Sequence, residues 1–241
     1  VPMPLFPVEQ NRQTLAETVH DRLLEAILDG ELPAGAPLVQ ERLAESLGVS
    51  RQPVLQALAM LKRGGFVEAA DRRGYRVTDL APEMVADVYE LRGALDRVAA
   101  GAAARRAAPD RERRLDAALA AGEAALARGD TARLVAADAA FHQTIYDLSG
   151  NALIAEAAAQ PWRHIRRAMA AVLRDEPGRA TVWREHRAIA AAIRAGDPAA
   201  AEKAASAHAA HAADRIGGRV AQAGADTDAP GDKAAAAASA P

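Results

Sequence analysis

The chain has 241 residues, with 30 Lys and Arg against 32 Asp and Glu and a formal net charge of −2. This length fits one large domain or two small ones, and the near-balanced charge confines any nucleic-acid site to a local patch. The absence of cysteine excludes disulfides, thiol catalysis and cysteine-ligated zinc, and fits a reducing compartment. Aromatic residues, at 3%, are too few for a platform that stacks single-stranded bases. Alanine at roughly a quarter of the chain, beside 26% charged residues, predicts mostly helix. No stretch approaching the ~18 apolar residues of a membrane span is free of charge, and no signal-peptide pattern opens the chain. A soluble cytoplasmic protein with no membrane partner is expected.

In chain order, residues 1–11 contain prolines without periodicity and read as a flexible arm. From about Arg12 to Gly30, Leu15, Val19, Leu23, Leu24, Ile27 and Leu28 recur at helical spacing. A turn follows at 32–37, then a short helix through Leu43 and Leu47 that ends at Gly48. Ser50 stands as the N-cap of a third helix, with Pro53 in its first turn and Val54, Leu58 and Leu61 as its buried stripe. Two β-prone runs around Asp71-Arg72-Arg73-Gly74 predict a hairpin. Three helices and a hairpin over residues 12–78 make a winged helix-turn-helix. A linker is expected at 79–82. Residues 83–220 then read as an antiparallel, all-helical bundle of about six helices, punctuated near Ala108-Pro109, Gly129-Asp130, Gly150-Asn151, Pro177-Gly178 and Gly196-Asp197. Residues 221–241, rich in Ala, Gly, Asp and Pro, read as a disordered tail.

Charge is unevenly spread over the first of these domains. Residues 1–49 hold three arginines against eight acids, whereas residues 50–76 hold six basic residues against two acidic ones. The basic segment is the third helix and the wing, the parts that meet DNA in this architecture. On the helix, Arg51, Gln52, Leu55 and Gln56 fall off the buried stripe. Glutamine can bond an adenine edge, arginine a guanine or a phosphate, and leucine can touch a thymine methyl. Gly74 lets the hairpin tip approach closely, and Arg72 and Arg73 beside it could enter a minor groove. A solvated basic helix and a plain surface hairpin would carry the same charges.

The stretch LVQERLAESLGVSRQPVLQALAMLKRGGFVEAADRRGYRV resembles the DNA-binding domain of the GntR family of bacterial repressors, in its GVSR, Pro53-Val54, Ala57-Leu58 and Arg73-Gly74 elements. The resemblance implies a pseudo-palindromic double-stranded operator read by a homodimer. Two departures stand out: Gln40 where the family commonly has Glu, and Leu55-Gln56 where it has Arg-Glu. The second removes a usual DNA contact and implies an operator other than the commonest one.

The second domain holds most of the six histidines: His142, His164, His186, His208 and His211, with His20 in the first. Asp138 and His142 lie four residues apart, about one helical turn, so both side chains point the same way. With His186 and His208 from later helices they would form a carboxylate-and-three-imidazole set. Such a set suits zinc, nickel or manganese with open positions left for a ligand. Polar histidines scattered over helix surfaces would look the same in sequence.

Residues 83–215 resemble the FCD-type effector domain of the FadR-like branch of that family, through VYELRGALD at 88–96, DAAFHQTIYDLSGN at 138–151 and WREHRAIAAAIRAGDPAAA at 183–201. The resemblance implies that Asp138, His142, His186 and His208 are ligands of a divalent metal, Zn2+ first and Ni2+ or Mn2+ as alternatives. It further implies a small organic or sugar acid as effector, clamped by Arg92. Asp96 is expected in a structural ion pair, Asn151 as a helix cap, and His211 behind the ligands or on the surface. His20 and His164 are expected to be structural or exposed. The expected function is a ligand-responsive transcriptional repressor and not an enzyme. The alternatives are a metal-dependent enzyme, against which no general-base motif such as H-E-x-x-H is present, and a ligand-binding module that has lost DNA affinity at Leu55.

Overall fold

The computed structural model describes residues 13–70, 74–172 and 178–228, and the chain divides into two compact units between Asp79 and Leu80. The expected arm at 1–11 and the hairpin tip Asp71–Arg73 lie outside the described residues.

The first unit opens with α1 (Leu15–Leu28). Thr14 caps it through a capping box: its hydroxyl accepts from the Glu17 amide at 3.2 Å, and the Glu17 carboxylate accepts from the Thr14 amide at 2.7 Å. Leu15, expected on the buried stripe, is exposed because it opens the helix ahead of the core, whereas Val19, Leu23, Leu24, Ile27 and Leu28 are buried. A two-residue strand β1 (Pro37–Leu38) precedes α2 (Gln40–Leu47) and α3 (Arg51–Arg63). The turn expected through Pro37 thus ends in an edge strand, a place where proline's missing N–H does no harm. Gly48 closes α2 at φ 66°, a left-handed conformation that a side chain would strain. Ser50 precedes α3 in extended conformation without bonding the first turn. Strands β2 (Val67–Ala70) and β3 (Gly74–Val77) pair antiparallel, and β1 joins β3 on its other edge. The stripe Val54, Leu58 and Leu61 is fully buried against α1, Leu38, Phe66 and Val77. This is the winged helix-turn-helix that the sequence predicts.

The second unit is helical throughout its described residues. Its helices are α4 (Pro82–Arg105), α5 (Arg111–Arg128), α6 (Thr131–Ser149), α7 (Ala152–Val172), α8 (Arg179–Arg194) and α9 (Pro198–Asp228). Pro82 opens α4 at a position where its absent N–H would be unpaired anyway. The Asn151 side chain accepts from the Leu153 amide at 3.1 Å, as expected of a cap. Alanines 99, 100, 103, 201, 205 and 209 are buried where α4 and α9 run along each other. Gly93 sits within reach of the Ala209 methyl, so these backbones approach closely. The helical end departs from expectation: α9 continues to Asp228, eight residues into the segment expected to be disordered. Val220 is buried, and beyond it the alanines propagate an existing helix, which costs far less than starting one. Residues 229–241 lie outside the described residues.

Gly122 on α5 lies directly under the ring of buried Trp183, whose atoms fall about 2 Å from where a Cβ would stand. Gly122→Ala is expected to lower the stability of this unit by about 1–3 kcal/mol through overpacking. Gly217→Ala, on α9 with open space around the new methyl, should instead stabilise by about 0.5–1 kcal/mol. Thermal and urea unfolding of the two variants beside wild type check both signs.

Candidate metal centre and DNA-contacting helix

Three helices converge on one buried point. Asp138 and His142 project from α6, His186 from α8 and His208 from α9, and one ligand atom from each lies within 4.8 Å of all the others. All four side chains are buried. His186 Nε2 stands 3.3 Å from both Asp138 Oδ1 and His208 Nε2. That spacing is about the edge of a tetrahedron around a metal with bonds of about 2.0–2.1 Å. Asp138 Oδ2 and His186 Nδ1 are buried without a hydrogen-bond partner, a cost that a bound cation would offset for the carboxylate. The four residues named from sequence therefore come together as a buried cluster able to hold a metal.

Two of the three outward ring nitrogens, those of His142 and His208, are held by carboxylates. His142 Nδ1 lies 3.2 Å from Asp96 Oδ2, and His208 Nδ1 lies 2.8 Å from Glu185 Oε2. A protonated Nδ1 donating to each carboxylate leaves Nε2 with its lone pair directed into the cluster, which is the form a metal needs. Asp96 also accepts from Arg92 Nε at 3.1 Å and from the Tyr146 hydroxyl at 2.6 Å. Trp162 in turn donates to that hydroxyl at 3.0 Å. The expected ion pair of Asp96 is thus with Arg92.

Burial dominates the electrostatics. It pushes the pKa of His142, His186 and His208 below the usual histidine value, and that of Asp138 up. Burial would raise Asp96 too, but His142 and Arg92 hold it well below the ordinary carboxylate range. Asp96 and Asp138 likewise keep the Arg92 guanidinium charged against its own desolvation. With neutral imidazoles, Asp96 and Asp138 face the Arg92 guanidinium within the cluster, and Arg215 on the adjoining cavity wall also acts on Asp138.

Beside the cluster lies a cavity of about 40 Å³ with a mostly apolar wall that includes Val135, Met169 and Trp183, and Arg92, Asp138, Arg179, His208 and Arg215 border it. That volume takes roughly three water molecules. Arg92 reaches into both places: Nη2 lies 2.5 Å from His142 Nε2 and 3.2 Å from His208 Nε2, and the guanidinium rests over the Trp162 ring at 4.5 Å. Sequence reasoning missed Arg179, Arg215 and Glu185. Glu185 adjoins His186 in chain, and Arg215 follows His208 by seven residues, two helical turns on the same face, so both signals were present. Nothing in the sequence around Arg179 marks it. His211 bonds Glu185 Oε1 at 2.8 Å while remaining exposed to solvent. His20 pairs with Asp21, and His164 is half-buried on α7.

In the first unit, Arg51, Gln52, Leu55 and Gln56 are all exposed on one face of α3. Arg51 lies 3.1 Å from Glu41 of α2 through Nη1, and its other donors remain open to a phosphate or base. Lys62 and Arg63 end the helix, also exposed. Gly74 begins β3, and Arg72 and Arg73 fall outside the described residues. Among the described residues no helix is long and apolar enough to cross a membrane.

Comparison with known proteins agrees with both halves. Residues 15–77 match the family of bacterial regulatory proteins named gntR, and residues 87–211 match the FCD domain. A protein of Paenarthrobacter nicotinovorans named "Probable D-xylose utilization operon transcriptional repressor" is 31% identical over 197 residues, covering 82% of this chain and 86% of that one. An HTH-type transcriptional regulator of Mycobacterium tuberculosis is 32% identical, covering 79% and 85%. The fold is shared with the solved structure of E. coli McbR/YncC, at a TM-score of 0.71 and 20% identity over 88% of this chain and 99% of that one. It is also shared with a GntR regulator from Rhodococcus sp. RHA1, at a TM-score of 0.70 and 24% identity over 84% and 97%. The chain belongs to the GntR family of transcriptional regulators, with a gntR-type DNA-binding domain followed by an FCD domain.

Proposed function

We propose that this regulator is a cytoplasmic, homodimeric repressor whose helical domain binds a divalent metal, Zn2+ first, and a small organic or sugar acid that releases it from a pseudo-palindromic operator. The observation that carries the reading is the buried cluster of Asp138, His142, His186 and His208 beside a cavity bordered by arginines. A dication there would supply Lewis acidity and add positive charge beside Asp138, which favours a carboxylate ligand. Arg92, Arg179 and Arg215 would orient that carboxylate, and the neutral imidazoles hold no proton that must first leave. The relative named as a probable D-xylose utilization operon repressor supports the sign of regulation.

The cavity as it stands has room for water only, so an acid enters by moving side chains. Arg92 belongs to α4, whose first residue, Pro82, follows Asp79 by only three positions. A ligand that shifts α4 thereby acts through the covalent chain on the DNA-binding unit. The two arrangements must differ in their affinity for the acid, since only differential affinity shifts an equilibrium. On DNA, Arg51, Gln52, Leu55 and Gln56 would meet base edges and phosphates, and Arg72, Arg73 and Gly74 would form the wing contact. Leu55 offers a methyl contact where an arginine would offer a charge, which fits a specialised operator better than lost binding.

The deciding experiment is a thermal-shift screen against small carboxylates and sugar acids, with and without prior metal stripping, in wild type and His142→Ala. Acids that raise Tm in metal-loaded wild type alone, and that weaken operator retention in a gel shift, are the expected outcome. Metal stabilisation with no acid response over a broad panel would leave the cluster a structural site, and absence of sequence-selective DNA retention at moderate salt would overturn the regulator mechanism. pH gives a separate check. The three histidines have folded-state pKa values below their unfolded ones, so their contribution to stability is present above about pH 6.5 and is lost as pH falls through the folded values. The metal-free protein should therefore lose stability to urea between about pH 7 and pH 5, and His208→Gln should flatten that dependence.

A further inference from the structure

An imidazole nitrogen that is not protonated has one lone pair. The His142 Nε2 lone pair faces the cluster, because Nδ1 of the same ring lies 3.2 Å from Asp96. The His208 Nε2 lone pair does likewise, with Nδ1 on Glu185. Both lone pairs are engaged by one donor: Arg92 Nη2, at 2.5 Å and 3.2 Å. Neither nitrogen can accept that N–H and bind a metal at the same time. The guanidinium is itself buried and charged, is pinned to Asp96 through Nε, and rests on the Trp162 ring. Arg92 also borders the cavity, so the space into which its head group can withdraw is the space assigned to the acid.

We propose that Arg92 is a built-in place-holder for the metal: in the metal-free protein its guanidinium occupies the His142 and His208 donors, and metal entry displaces it into the cavity, where it becomes available to a carboxylate. The inference rests on the metal-binding reading above and gives it an order. Metal loading arms the acid site, because only then does Arg92 point away from the imidazoles. By linkage, a carboxylate that holds Arg92 in the withdrawn position tightens metal binding by the same factor as metal tightens the carboxylate. Asp96 serves both states, since its contact with Nε is the pivot about which the planar guanidinium turns.

The test measures zinc affinity of full-length wild type and Arg92→Met by competition with a chromophoric chelator, with far-UV circular dichroism to verify folding. Removing the competitor should tighten zinc binding about tenfold or more, the scale of one charge-assisted hydrogen bond that no longer has to break. Arg92→Lys keeps a charge for Asp96 without the forked donors, should also bind zinc more tightly, and serves if the methionine variant does not fold. In wild type, the guanidinium nitrogen resonances of Arg92, assigned by their loss in Arg92→Lys, should shift on adding zinc alone. Unchanged zinc affinity in a folded variant, or Arg92 resonances that do not move, overturns the place-holder role while leaving the metal site intact. If wild type and both variants all fail to bind zinc, it is the metal reading itself that fails, and the place-holder role falls with it.

Discussion

The core of the helical domain is organised around a charge it cannot easily leave unbalanced. Two carboxylates, three imidazoles and one guanidinium are buried together in a protein whose other interior contacts are largely alanine and aliphatic. An isolated ion in such surroundings is heavily penalised, so each group survives only through its neighbours. Asp96 does most of this work: it accepts from Arg92, from Tyr146 and from the His142 ring. Asp138 is the exception. One of its oxygens has no partner, and burial raises its pKa, so the least satisfied negative charge in the core falls on the residue best placed to take a cation.

Small residues decide how the surrounding helices bring these groups together. Alanine and glycine allow α4 and α9 to run close, which brings Arg92 on one within bonding distance of His208 on the other. Gly122 makes room for the Trp183 ring, whose centroid lies 4.6 Å from that of His186, so the third imidazole is held from behind by a rigid aromatic surface. Phe141 stacks on the face of the same imidazole at 4.2 Å and meets Trp183 edge-on at 6.5 Å. A ring so confined has few rotamers to lose when a metal binds.

Most of this architecture was legible in the sequence, for identifiable reasons. The helix-turn-helix followed from strong apolar periodicity closed by Gly30 and Gly48, and the breaks between α4 and α9 followed from glycine, proline and Asn151. Asp138 and His142 were legible as neighbours because helical spacing fixes them, but their meeting with His186 and His208 depends on packing between helices that composition does not encode. The end of α9 was misread because alanine-rich sequence without a hydrophobic stripe reads as disorder, although here it extends a helix already nucleated. The family resemblance named Arg92 as a clamp for the acid, but its contact with the His142 and His208 imidazoles had no sequence signal, because it depends on how α4, α6 and α9 pack.

The length of α9 gives the metal centre mechanical reach. His208 sits about one third of the way along the helix, and the chain continues as helix for 20 residues to Asp228. At 1.5 Å of rise per residue this is a rod of about 30 Å beyond the cluster. Rotating such a rod by a single degree about the ligand displaces its far end by about 0.5 Å. A shift too small to notice at the histidine thus becomes, at the other end of the helix, a movement on the scale that separates a packed contact from a broken one.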